Sequence, residues 1–149
     1  MSSEANIVKD LIDQGMAPIR ADLDRFEAGL RSMSATSEDP PAAAVQAVRA
    51  ARAHAATAYA SLSAANSGHI RLMQGGAQAL RAFLYLGQGL TILEQSLTSK
   101  DGSTIVRLTT KAKSLIDQAN GELYAADRAL GCPYGCRPAP PMPKPVVRP

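Results

Sequence analysis

Apolar residues recur along the first 130 positions in alternating steps of four and three. Ile12, Met16, Ile19, Leu23, Phe26, Leu30 and Met33 follow this rhythm, which gathers them into one stripe of a helix and is the seam of an antiparallel bundle. The spacing predicts a first helix over Ser3–Ala35, supported by opposite charges four apart at Arg20–Asp24 and Glu27–Arg31. Pro18 lies inside it, where the ring removes a backbone hydrogen bond and clashes with the preceding turn. With Gly15 just before it, a kink near residues 15–18 is expected; the seam keeps its phase there, which favours a bend over a break.

Asp39 suits an N-cap and Pro40 a first helical position, where no amide donor is needed. They open a second helix reaching about Asn66, in which thirteen of the residues from Ala42 to Ala65 are alanine and only Val45, Val48, Tyr59 and Leu62 are large and apolar. A third helix is predicted from His69 to Thr98. Leu72, Gly76, Ala79, Phe83, Leu86, Leu90, Leu93 and Leu97 form one seam, and Met73, Ala77, Leu80 and Leu84 a second beside it. Two seams predict the central helix of the bundle. Gly75-Gly76 and Gly87-Gln88-Gly89 weaken it, because glycine costs about 1 kcal/mol relative to alanine in a helix interior. The competing reading there is a β-hairpin of Ala82–Leu86 and Leu90–Glu94 around the Gly-Gln-Gly turn. After a polar turn at Ser99–Ser103, Ile105, Leu108, Ala112, Leu115, Ala119, Leu123, Ala126 and Leu130 mark a fourth helix from Thr104 to Leu130, with Gly131 as its cap and Pro133 beyond it.

The fold expected is all-α: a four-helix antiparallel bundle over residues 1–131, its first helix kinked near Pro18. A Cys loop and a proline-rich cationic tail follow over 132–149. The tail holds seven prolines in eighteen residues, with Arg137, Lys144, Arg148 and no acid, and is expected to be extended and polyproline-II-like.

Composition supports the helices. The chain has 149 residues, enough for one core, with 46% hydrophobic and 19% charged residues, no Trp and two Phe. Alanine and leucine, the best helix formers, dominate the apolar share. A net charge of +3 is too small to imply nucleic acid by itself. No basic stretch followed by an apolar run opens the chain, and no segment reaches the roughly 18 apolar residues of a membrane span. A cytoplasmic protein is expected, or one exported without a cleavable leader.

Candidate chemistry is sparse. Cys132-Pro-Tyr-Gly-Cys136 resembles the Cys-Pro-Tyr-Cys redox site of glutaredoxins, but carries an extra Gly and follows a helix, where a thioredoxin-like site follows a strand; redox activity is not carried over. Other readings are free or disulfide-bonded cysteines, and half of a metal site completed by a second subunit. His54 and His69, the two histidines, read as surface residues, and no Glu-x-x-His pair accompanies them. The glycine pairs lack the Gly-Lys-Ser/Thr of a phosphate loop. No cofactor and no catalytic residue are expected.

One charge feature stands out. No Asp or Glu occurs between Asp39 and Glu94, while Arg49, Arg52, Arg71 and Arg81 do. They are expected to pair with acids of the first and fourth helices; the alternatives are nucleic acid, whose phosphates such a stripe could hold, or another anion. In the tail, Arg137-x-x-Pro140-x-x-Pro143 fits a polyproline ligand for an SH3-type groove. The chain is also similar in size and helicity to the small helical substrates of mycobacterial-type secretion systems, but lacks their Trp-x-Gly turn, and Arg128 stands where their Tyr-x-x-x-Asp/Glu signal needs an acid after Tyr124.

The function expected is therefore a non-catalytic structural or interaction protein. It would self-assemble or dock on a protein partner through the alanine-rich helix and the tail, with Arg49, Arg52, Tyr59, Arg137, Pro140 and Pro143 as contact residues. The alternatives are a nucleic-acid-associated basic protein, and a metal- or redox-active protein using Cys132 and Cys136.

Overall fold

A computed structural model of the chain describes residues 3–31, 42–67 and 74–130. They form four helices, α1 (Ser3–Arg31), α2 (Ala42–Ser67), α3 (Gln74–Thr98) and α4 (Gly102–Ala129), and no strand occurs among them. The hairpin alternative over residues 82–94 is overturned: α3 is continuous through Gly87 and Gly89. Leu and Ala are strong helix formers, and the four-three apolar spacing runs on across the glycines from Phe83 and Leu86 to Leu90 and Leu93. Asp39, Pro40, His69, Gly131 and the whole tail lie outside the described residues.

Successive helices run antiparallel. Gly29 of α1 faces Ala44 at the start of α2, and Gly15 faces Ala58 further along it. Arg49 near the start of α2 reaches Glu94 near the end of α3, and Gly75 at the start of α3 packs on Leu130 beyond α4. Packing is most extensive between α3 and α4, then α1 and α2, then α2 and α3. Lys9 of α1 reaches Asp127 of α4 across 2.6 Å and joins the first helix to the last.

The seams predicted for α1 and α4 are largely the buried ones. Val8, Ile12, Met16, Ile19, Leu23 and Phe26 face the core from α1, as do Ala112, Ile116, Ala119, Leu123 and Ala126 from α4. Phe26 and Phe83 are fully buried, and each contributes roughly 2–3 kcal/mol by leaving water. α1 stays one helix through Pro18. Gly15 is a contact, not a weak point: a Cβ there would lie 2.7 Å from the Ala58 Cβ and 3.0 Å from the Phe83 ring, so glycine lets α1 approach both neighbours.

The alanines of α2 serve the core of this chain. Ala44, Ala47, Ala51, Ala55 and Ala58 are buried with Val48 and Leu62. In α3, Gly76, Ala79, Phe83, Leu86, Leu90 and Leu93 of the first predicted seam are buried and Leu97 is half-buried, but Ala77 and Leu84 of the second are exposed. A different set takes its place. Gly75, Ala82 and Gly89, seven apart, are buried, and a Cβ at Gly75 or Gly89 would press on Leu130 or Ile116. Small residues at that spacing bring α3 onto α4, which turns the Leu84 side outward.

Candidate functional site

Leu84 turns towards a groove between α2 and α3 with a volume of about 340 Å³. α2 supplies Arg52, Ala55, Ala56 and Tyr59; α3 supplies Phe83, Leu84, Gly87, Gln88 and Thr91. Its existence follows from side-chain size. Ala55 and Ala56 extend no further than Cβ, and a Cβ added at Gly87 would meet nothing within 4 Å. Phe83, 1% exposed, forms the floor, while Tyr59 and Leu84 on the rim are 37% and 43% exposed. The Thr91 hydroxyl donates to the Gly87 carbonyl at 2.8 Å, so its polar atom is satisfied within α3 and its methyl can face the groove.

One end of the groove is charged. Arg52 Nη1 lies 2.8 Å from Glu94 Oε1, and Arg49 Nε donates to Glu94 Oε2 at 2.8 Å. Two guanidinium groups thus share one carboxylate, and that carboxylate is the more buried partner. The acid-free run explains the shortage, since neither helix wall carries another acid before Glu94.

These contacts correct the expectation that the arginines pair with α1 and α4. Arg49 and Arg52 use α3, because the antiparallel run of α2 sets its N-terminal half beside the first acid of α3. Arg81 does reach α4, at 3.3 Å from Glu122 Oε2. Of the predicted contact residues, Arg52 and Tyr59 line one groove and Arg49 joins its charged end. Arg137, Pro140 and Pro143, with Cys132, Cys136, His69 and Arg71, fall outside the described residues.

The sequence reading missed a second polar site. Asp22 is fully buried between α1 and α2. His54 Nδ1 lies 2.5 Å from Asp22 Oδ2, and Arg25 pairs with Oδ1. His54 is at the surface as expected, with its side chain 41% exposed, and is also tied to α1 through Asp22. The signal was legible: Asp22 stands three residues after Ile19 and four before Phe26, in phase with the apolar seam. A buried carboxylate needs partners of this kind, because removal from water without them is costly. The pair joins two helices.

A wider trough of about 540 Å³ lies between α1 and α2, lined by small residues such as Gly29, Ala43 and Ala47 with Arg25 and Gln46; no bulky apolar side chain stands on it. Among the described residues, no three His, Cys, Asp or Glu side chains gather as they would around a metal ion, and no helix is long and apolar enough to cross a membrane. Compared with protein-family models, curated proteins and solved structures, the chain matches none.

Proposed function

We propose that the chain is a non-catalytic interaction protein, a rigid helical body that self-assembles or docks on another protein through the α2–α3 groove. The observation that carries this reading is the convergence of Tyr59 and Leu84, two of the exposed large apolar side chains, on one groove with a buried aromatic floor. Aromatic side chains are enriched at the core of protein contacts and supply much of their binding energy. The proline-rich tail, through Arg137, Pro140 and Pro143, is a second contact in the same proposal. Against the nucleic-acid alternative, Arg81 meets Glu122 and Arg49 and Arg52 share Glu94, which leaves one surplus positive charge where a phosphate backbone calls for several.

The test is a photo-crosslinking residue in place of Gln88, which is exposed on the groove. Irradiated in its host, the full chain should link to a second copy or to one defined protein, and Leu84→Ser should abolish the link. Light scattering that shows only monomer at high micromolar concentration, together with no specific crosslink, overturns the proposal.

A further inference from the structure

The chemistry of the groove narrows what it can hold. Resting on the reading of this groove as an interaction surface, we propose that its occupant is an amphipathic helix of a partner protein. That helix carries a bulky apolar residue and, two turns away on the same face, a carboxylate.

The apolar requirement comes from one end. Tyr59 and Leu84 flank the Phe83 floor, and a large side chain inserted there would cover both exposed rim residues. The acidic requirement comes from the other end. Arg49 and Arg52 have side chains 56% and 44% exposed, and they share a Glu94 side chain that is 15% exposed. One carboxylate neutralises one of two positive charges, and no other acid lies on either wall before Glu94. The surplus cation, beside an apolar surface that excludes water, attracts an anion and repels a second cation.

Spacing and shape point to a helix. Arg52 and Tyr59 are seven residues apart on α2, about 10 Å of helical rise, so a helix lying along the groove meets both ends with residues i and i+7. Ala55, Ala56 and Gly87 between the ends carry nothing beyond Cβ, which admits a third helix at close range. The chain's own tail fits poorly: beyond Asp127 it holds Arg128, Arg137, Lys144 and Arg148 and no acid, the same sign as the groove's charged end.

The test selects binders for the full chain from a display library of short alanine-based helical peptides with randomised positions. Enriched peptides are expected to carry Leu, Met or Phe at one position and Asp or Glu seven residues away, on either side. Their binding, read by fluorescence anisotropy at low ionic strength, should weaken about tenfold with Arg52→Ala, as loss of a charge-assisted contact implies. It should be lost with Gly87→Leu, whose side chain fills open space. Gln88→Glu, a change at an exposed position, should weaken binding through repulsion and serves as a second variant if Gly87→Leu disturbs folding. Circular dichroism establishes that each variant keeps its helicity. Peptides blocked by Gly87→Leu but without acidic preference overturn the acidic-helix proposal and leave the groove as an interaction surface. Peptides indifferent to Gly87→Leu and Gln88→Glu, or no enrichment, overturn both. A Gln88 crosslink solely between two copies assigns the groove to self-association and overturns the proposal of a separate partner helix.

Discussion

A methyl group added to Gly15 would press on Ala58 and the Phe83 ring, whereas one added to Gly87 would stand in the open groove. Both glycines cost the same intrinsic helix propensity, so the neighbours decide the sign. Gly15→Ala should lower the unfolding free energy by about 1–3 kcal/mol, the range for overpacking a tight contact. Gly87→Ala should raise it by up to about 1 kcal/mol, the propensity difference between the two residues. Urea denaturation of the two variants measures both, and shifts of the same sign would refute the assignment. Spacing in the sequence marks every helical glycine as weak, because it says nothing of which neighbour lies against it. The same blindness hid the partner of His54: Asp22 was visible as a polar residue in an apolar seam, but not what it would bind.

Among the elements, α4 has the clearest start. Asp101, in extended backbone, caps it: the Thr104 hydroxyl donates to Asp101 Oδ2 at 2.5 Å, the Ser103 hydroxyl at 3.0 Å and the Thr104 amide at 3.1 Å. The Thr104 hydroxyl first, then Ser103 and the Thr104 amide, hold the Asp101 carboxyl below its ordinary value of 3.8. A depressed value means the folded state favours the ionised form. The cap's contribution is thus complete above the ordinary value and fades as the pH falls through the lowered one. Acid titration followed at the Thr104 amide by NMR should show the first turn of α4 fraying in that window. Asp101→Ala should fray it already at neutral pH and remove the acid step; an unchanged titration would exclude the cap as its cause. The sequence had this residue as part of a turn, three places before the helix it expected. It had the four helices and their buried stripes for α1 and α4, because a core-facing stripe repeats over many turns. It misjudged the outer face of α3, because Gly75, Ala82 and Gly89 do not register as a seam until α4 is seen lying on them. For the groove, Tyr59 and Arg52 were legible as an odd aromatic and an odd charge on an alanine helix, while Leu84, Gly87 and Gln88 required the pairing of α2 with α3.

At the scale of the whole molecule, the contact between the first and last helices rests heavily on charge. Lys9 is 8% exposed and pairs with Asp127 at 2.6 Å and Asp13 at 3.5 Å. Removing one member of such a pair leaves the other poorly solvated, so Lys9→Ala should cost about 1–3 kcal/mol. Replacing both, Lys9→Met with Asp127→Leu, should recover much of that loss; a double variant no more stable than Lys9→Ala would show that the pair's charge is not what holds α1 to α4. The order of packing has a consequence in time. The most extensively packed partners, α3 with α4 and α1 with α2, are neighbours in the chain, so most contacts form between residues close in sequence and little loop entropy is lost before they form. A topology of that kind folds fast, on the microsecond-to-millisecond scale of helical bundles. The α2–α3 seam, with its groove, lies between these two pairs, so it is complete only when both are in place.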